Sequence, residues 1–337
     1  MIVQGPVAAG GVDVPHSTTA VLASVRRVLP AAEIILSTWP GQNLAGLAAD
    51  VVVQPADPGP QLLDPTGTVA RKFSNLNRQT ISTLAGLRAA RRPWAVKLRS
   101  DTFLRHAGFL DFAKSDLPRN PRWQIFQERI VVSDLGSHDP RFCPMLFHVS
   151  DLFHFGRRED LLQLWDNPPA PEPATSRYFA DRLPPPIVVF PDSKFVRWTA
   201  EQYLWLTCLR RNGRPYELSH STASSVRLAW ASEQLFLNNF RPAATVDLGI
   251  VAPAHLEGIR VLGFHYTAAS WAQYARACAT PAGRLKHFAQ FVPAVLKSRL
   301  RARWRTYADR HPDERVVKLM RRRAFEKIRQ QRGERAP

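Results

Sequence analysis

Short, uniformly apolar runs alternate along the first hundred residues with longer stretches in which apolar positions recur at helical spacing. I-V-Q-G-P-V at the start reads as a strand ending in a Gly-Pro turn, and H-S-T-T-A-V-L-A-S-V-R-R-V-L after it as a helix opened by Ser and Thr. A-E-I-I-L-S-T-W and D-V-V-V-Q, residues 50–54, have the length and apolarity of buried parallel strands. K-F-S-N-L-N-R-Q-T-I-S-T-L-A-G-L-R-A-A predicts a long helix from near Lys72, stopped by Arg91, Arg92 and Pro93. W-A-V-K-L-R is a further strand, and T-F-L-R-H-A beyond it reads as a helical run. Alternation of this kind implies a mostly parallel, doubly wound α/β sheet, in which ligands lie beyond the carboxyl ends of the strands.

Past residue 105 the pattern loosens. W-Q-I-F-Q-E-R-I-V-V-S fits a strand pair or one long strand, and F-H-V-S-D-L-F-H-F-G leads into the helix R-E-D-L-L-Q-L-W. Residues 167–186 are proline-rich and read as a surface loop, a candidate lid. T-A-E-Q-Y-L-W-L-T-C-L-R-R and A-S-E-Q-L-F-L-N-N-F read as helices with a Thr or Ser cap and an acid in the first turn. No repeat of solenoid length is present.

Charge changes this picture at one end. The chain of 337 residues carries a net charge of +18, and from Arg284 onward 17 Lys/Arg face 5 Asp/Glu, about two-thirds of that excess. In V-P-A-V-L-K-S-R-L-R-A-R-W-R-T-Y, Leu296, Leu300, Trp304 and Tyr307 form an apolar stripe between arginines. That pattern fits a basic amphipathic helix on an anionic membrane surface, or a solvated helix packing its stripe on the body. A nucleic-acid partner is disfavoured, because no nucleic-acid fold signature accompanies the charge. Cys143, Cys208 and Cys278 are odd in number and lack CxxC spacing, so neither a disulfide framework nor a zinc knuckle is expected. No run approaches the roughly 18–20 apolar residues of a membrane span, and no signal peptide opens the chain; cytoplasmic residence is the expectation.

Candidate chemistry gathers at the strand ends. Alternation along W-A-V-K-L-R-S-D turns Lys97, Arg99 and Asp101 one way, and Asp101 at the strand edge would reach the ligand crevice. A carboxylate there suits Mg²⁺ or Mn²⁺ bridging a diphosphate; the alternative is an N-cap for T-F-L-R-H-A. Lys72, Asn75, Arg78 and Gln79 lie along one helix side, where the cations would hold phosphates and the amides a sugar or base, although a solvated helix face looks similar. Glu201 and Glu233 are candidate general bases or helix caps. His265 is a candidate metal ligand or a core histidine, and His148 and His154 flank Asp151 without zinc spacing. The absence of G-x-x-x-x-G-K-[ST], G-x-G-x-x-G and G-x-S-x-G argues against P-loop NTPases, Rossmann dehydrogenases and α/β-hydrolases.

V-Q-G-P, A-E-I-I-L-S-T-W, D-P-G at 57–59, K-F-S-N-L-N-R-Q-T-I-S-T-L-A-G-L, K-L-R-S-D, F-H-V-S-D-L-F-H-F-G, A-E-Q-Y-L-W, S-E-Q-L-F-L-N-N-F and F-H-Y occur in one order over roughly residues 1–270. In that order they resemble the WavE lipopolysaccharide-synthesis family. The resemblance implies a GT-A-like glycosyltransferase with a mostly parallel central sheet and helices on both faces. Residues 1–105 would form its nucleotide-sugar half, 106–275 its acceptor half and 284–337 a basic helical tail. Gln4, Gly5, Thr38 and Asp57 would then contact base and ribose, and Asp101 would be the metal site. The usual Asp-x-Asp is replaced by Arg99-Ser100-Asp101, so Arg99 and Lys97 would share neutralisation of the diphosphate with, or in place of, a divalent cation. By the same likeness Phe155-Gly156 would be a glycine loop, Glu201 the base, with Glu233 as runner-up, and His265 a late metal ligand. The implied partners are a nucleotide-sugar donor and an oligosaccharide or lipid-linked acceptor, met at the inner face of the cytoplasmic membrane.

Overall fold

The computed structural model describes residues 1–63, 73–190, 194–257 and 263–311. Strand β1 (Ile2–Gln4) is followed by helix α1 (Thr18–Val28), β2 (Ile35–Ser37) and β3 (Val51–Val53). Ser17 caps α1 by accepting from Ala20 N, as its sequence predicts. A small antiparallel pair, β4 (Gln61–Leu62) and β5 (Phe73–Ser74), precedes helix α2 (Leu76–Ala89) and strand β6 (Trp94–Arg99). Helix α2 thus begins later than the spacing suggests, because Phe73 and Ser74 are held extended by β4. Lys72 lies outside the described residues.

Asp101 caps no helix. Instead β7 (Phe103–Leu104) follows it, and one turn of 3₁₀ helix spans Gly108–Phe112. The second half supplies β8 (Ile130–Ser133), β9 (Phe153–Arg157), helix α3 (Arg158–Trp165), α4 (Ala200–Arg211), α5 (Val226–Asn239) and β10 (Phe240–Ala243). Then come α6 (Thr245–Leu248), β11 (Ile250–Val251), which pairs antiparallel with β7, α7 (Ala254–Glu257), α8 (Ala268–Ala277) and α9 (Pro281–Arg310).

Seven strands form one sheet in the order β3-β2-β1-β6-β9-β8-β10. Every pairing is parallel except the two made by β9, which runs against β6 and β8. Alternate strand residues feed two apolar layers. Ile2, Ile35, Ala95, Ile130 and Val132 pack with α2 to α5, while Val3, Leu36, Val96, Leu98 and Val131 pack with α1. Helices therefore cover both faces, as continuous apolar strands require.

Three further expectations are corrected. Trp123 to Glu128 form no strand, because side chains take their backbone donors: Asn239 Oδ1 accepts from Ile125 N at 2.7 Å, and Asp160 accepts from Gln127 N and Glu128 N. Phe155-Gly156 is no loop but the middle of β9, with Gly156 facing Ala95 of β6. Glu233 is not in a first turn, because α5 starts at Val226 under a Ser225 cap and Glu233 falls mid-helix, fully buried.

Helix α9 is anchored on this core. His287, Phe291, Val295, Ser298 and Thr306 are buried, the Phe291 ring lies 5.4 Å from that of Trp230, and the Arg141 guanidinium sits 4.8 Å above it. Because Phe291 belongs to the main core, Phe291→Ala is expected to cost about 3–5 kcal/mol in urea denaturation with a single transition retained. A loss under about 1 kcal/mol, or a separate early transition, would mean that α9 folds apart from the domain.

Candidate functional site

The ends of β1 and β6 lie side by side, with Gln4 opposite Arg99 and Ser100 N donating to Gln4 O at 2.9 Å. Gly5 turns the chain there at φ 139°, and a Cβ on it would stand 2.5 Å from Ser100 Oγ, which donates to Pro6 O. Only glycine permits so close a crossing in that conformation. Beyond it opens a cleft of about 430 Å³ lined by Gln4, Gly5, Pro6, Ala8, Trp39, Pro40, Gln42, Asp57, Asn75, Arg78, Gln79, Arg99, Ser100 and Asp101. It sits at the carboxyl ends of the parallel strands, where an α/β sheet takes its ligands.

Two bidentate ion pairs furnish this cleft. Arg99 donates through Nε and a terminal nitrogen to the two carboxylate oxygens of Asp101, at 2.9 and 2.8 Å. Arg78 grips Asp57 in the same way at 2.7 and 2.5 Å. Burial pushes the Asp101 carboxyl up, but Arg99 outweighs it and holds the group below the ordinary carboxylate value. Arg78 does the same for Asp57. Both acids are therefore anionic at neutral pH, and both arginines line the cleft beside them. Asn75 stands at the N-terminus of α2 but makes no capping bond with its side chain, and Ser74 Oγ instead accepts from Leu76 N. The Asn75 amide and Gln79 thus face the cleft beside the positive end of a helix.

Lys97 does not share this wall. It is fully buried on β6, where its ammonium donates to the Asp151 carbonyl and lies 5.3 Å from the Trp165 ring. Burial lowers its pKa to about 8, against the opposing pull of Asp151. Its position fixes the turn that presents Asp151, and the fields of Arg99, Asp101 and Glu201 all reach it. Thr38 is also buried behind the lining, its amide donating to Val53 O, while its neighbours Trp39 and Pro40 reach the cleft.

Glu201 begins α4, but the helix does not depend on it for a cap. Thr199 and Gln202 cap each other reciprocally, with Thr199 Oγ1 accepting from Gln202 N and Gln202 Oε1 from Thr199 N. The Glu201 carboxylate, about a quarter exposed, lies 3.4 Å from His148 Nε2. Burial pushes its pKa up, His148 opposes, and Asp151 adds to the rise. His148 Nδ1 must donate to Gly136 O at 2.6 Å, since a carbonyl only accepts, and Nε2 is the ring nitrogen that faces Glu201. The His138 ring stacks on His148 at 3.8 Å, and His265 Nδ1 accepts from Gly136 N. A second hollow of about 240 Å³ adjoins the start of α4, lined by Gln61, Leu63, Ser74, Thr175, Ser176, Trp198, Thr199 and Ala200 among others. The proline-rich segment thus contributes one of its walls.

Gln4, Gly5, Asp57, Asn75, Arg78, Gln79, Arg99 and Asp101 come together in the first cleft. Glu201 and His265 stand apart from it, around His148 and Gly136. Glu233 is sealed in the core, its carboxylate paired with Arg141 and with His287 Nε2 at 2.8 Å, and it has no exposed surface to meet an acceptor. His154 is structural as well: it binds Ser150 O and Trp165 Nε1, and burial lowers it to about 3. Sequence reasoning missed His148 and Asp151 as neighbours of Glu201; H-V-S-D names both residues but not the partner some fifty positions away.

Among the described residues no group of three or more His, Cys, Asp or Glu side chains is placed to hold a metal ion. Asp101 can offer one ligand: Arg99 takes one lone pair from each oxygen and Thr102 Oγ1 donates to Oδ1 as well, which leaves a lone pair on Oδ2. A magnesium-like ion that keeps one carboxylate and completes its shell from substrate phosphates fits such a donor. Among the described residues no helix is long and apolar enough to cross a membrane.

Comparison with curated proteins and with solved structures gives no match. The family profile for WavE lipopolysaccharide synthesis matches residues 1–304, which takes in the whole sheet, both hollows and most of α9. On that extent of agreement, the chain belongs to the WavE lipopolysaccharide synthesis family.

Proposed function

We propose that this protein is a GT-A-like glycosyltransferase that moves a sugar from a nucleotide donor to a hydroxyl of a lipopolysaccharide-core or other surface-polysaccharide acceptor. The observation that carries the proposal is the cleft at the carboxyl edge of β1 and β6, where two arginines, two carboxylates and the start of α2 converge. Family membership supplies the pathway class; the cleft chemistry suits a nucleoside diphosphate. Arg99 and Arg78 would neutralise the diphosphate, each keeping donor capacity beyond its carboxylate partner. Asn75 and Gln79 would orient the nucleoside or sugar. Asp101 would hold the divalent cation, Mg²⁺ or Mn²⁺, whose charge would steady the departing diphosphate.

Glu201 is the proposed base. A carboxylate raised towards neutrality is better matched to proton abstraction than one held low, and the second hollow beside α4 offers the acceptor a place to bring its hydroxyl. The hydroxyl proton passes to Glu201 as the acceptor oxygen forms its bond to the sugar, and the bond to the diphosphate breaks.

Titration calorimetry with a nucleotide-sugar panel, with and without Mn²⁺, joined to a donor-hydrolysis assay tests the whole scheme. Binding of one nucleotide sugar with turnover is expected; binding without any turnover would reduce the protein to a sugar-nucleotide binder. Arg99→Ala and Asp101→Asn should each lower kcat/KM by about 10²-fold or more. Glu201→Gln should lower kcat by about 10²–10⁴-fold while donor affinity holds; unchanged turnover would remove Glu201 from catalysis.

The acid limb of the rate profile carries a sign. Glu201 must be deprotonated, so kcat/KM rises with pH through a point above the ordinary carboxylate value. His148 lowers that point and Asp151 raises it, so His148→Gln should move the limb to higher pH and Asp151→Asn to lower pH. Shifts in the same direction would contradict the assigned electrostatics. Gly5→Ala, which drives a methyl into Ser100 Oγ, should weaken donor binding by at least about tenfold in the same calorimetry.

A further inference from the structure

Helix α9 has two apolar faces, and the core uses only one. The inner face is fixed at both ends. His287 meets Glu233 and Phe291 packs on Trp230 near the start, while Thr306 Oγ1 accepts from Val188 N and Arg310 donates to Pro185 O near the end. A helix held this way cannot roll to bury its other side.

The opposite side carries Leu285, Leu296, Leu300 and Trp304, exposed by 71%, 43%, 68% and 38%. Their spacings of 11, 4 and 4 residues keep them within roughly 100° of the helix circumference. Of the two readings of the Leu296, Leu300, Trp304 and Tyr307 stripe, packing on the body is not what the structure shows, for all four are exposed and Phe291, Val295 and Ser298 pack there instead. Lys297, Arg299, Arg301 and Arg303 stand among and beside the stripe. Over the thirty residues of α9 there are eight Lys/Arg and a single acid, Asp309.

We infer that the outer face of α9 docks on an anionic lipid bilayer. Leu285, Leu296, Leu300 and Trp304 enter the boundary between headgroups and acyl chains, and the flanking cations lie level with lipid phosphates, their aliphatic stems along the apolar surface. The composition of the face selects this occupant. A second copy of the chain would bring like charges on both rims of the stripe against each other, and a nucleic acid would have no use for exposed leucines. The docking does not depend on sugar transfer, and its test reads no activity.

The full-length chain is sedimented with vesicles of phosphatidylcholine alone or mixed with phosphatidylglycerol. Strong binding is expected only to the mixed vesicles, weakening as salt rises. Leu296→Glu with Leu300→Glu should lower the partition coefficient by about a hundredfold, and Arg299→Ala with Arg303→Ala by roughly tenfold or more, with circular dichroism unchanged. All four positions are surface-facing, so the fold is expected to survive. Equal binding to both vesicle types, or binding that survives the double glutamate variant, would overturn the inference. Salt-sensitive duplex DNA binding without vesicle binding would do so too, as would a dimer in sedimentation velocity that the glutamates abolish.

Discussion

The site depends on the crossing of two chain segments that lie ninety-five positions apart. Gln4 and Arg99 face one another across a parallel pairing, Ser100 N donates to Gln4 O, and Gly5 passes Ser100 at a distance that leaves no room for a Cβ. Everything that lines the first cleft hangs from that junction. It brings the end of β1 beside the Arg99–Asp101 pair, while β2 and α2 add Trp39, Asn75 and Arg78 around it. Parallel strands make such a junction open at one end only, which is why the polar groups collect there.

Charge is arranged in a continuous line from this cleft inward. Arg99 and Asp101 occupy the wall, and Lys97 lies behind them on the same strand, buried and tied to the Asp151 carbonyl. Asp151 acts on Glu201, which faces His148. A fully buried ammonium carries a desolvation cost, visible in the lowered value of about 8, and the cost is offset by the carbonyl, the Trp165 face and the surrounding acids. The result is a graded set of carboxylates: Asp57 and Asp101 are held low by arginine, whereas Glu201 is raised by burial. Environments that push like groups apart are how acid and base roles become separated. A second ionic cluster, Arg141 with Asp139, Glu233 and His287, does a different job: it joins α5 and α9 out of reach of solvent.

Much of the framework was legible in the chain because its signals are local. The runs at Ile2, Ile35, Val51 and Trp94 became strands, and Ser17 and Thr199 became caps. The polar set Asn75, Arg78 and Gln79 belongs with Arg99 and Asp101 in one cleft, as strand ends and a helix start predict. Local signals also misled. The run after Asp101 has helical spacing but pairs with Ile250 and Val251, a partner nearly 150 positions distant that no window reveals. Ser232-Glu233 imitates a cap and first turn, yet Ser225 starts the helix about two turns earlier.

The sequence by itself determined the α/β class, the concentration of positive charge after Arg284 and the residue types of the cleft, because periodicity, composition and motif order are properties of the chain. Only the tertiary structure decided which polar residue meets which. Arg99 rather than a cap occupies Asp101, Lys97 turns away from the ligand side, and His148 finds Glu201. It also turned the Leu296–Leu300–Trp304 stripe outward, since another face of α9 had the better-fitting contacts with Trp230 and Glu233. The physical reason is common to these cases: burial and pairing are set by what the rest of the fold brings within a few ångströms, and spacing along the chain carries no record of that.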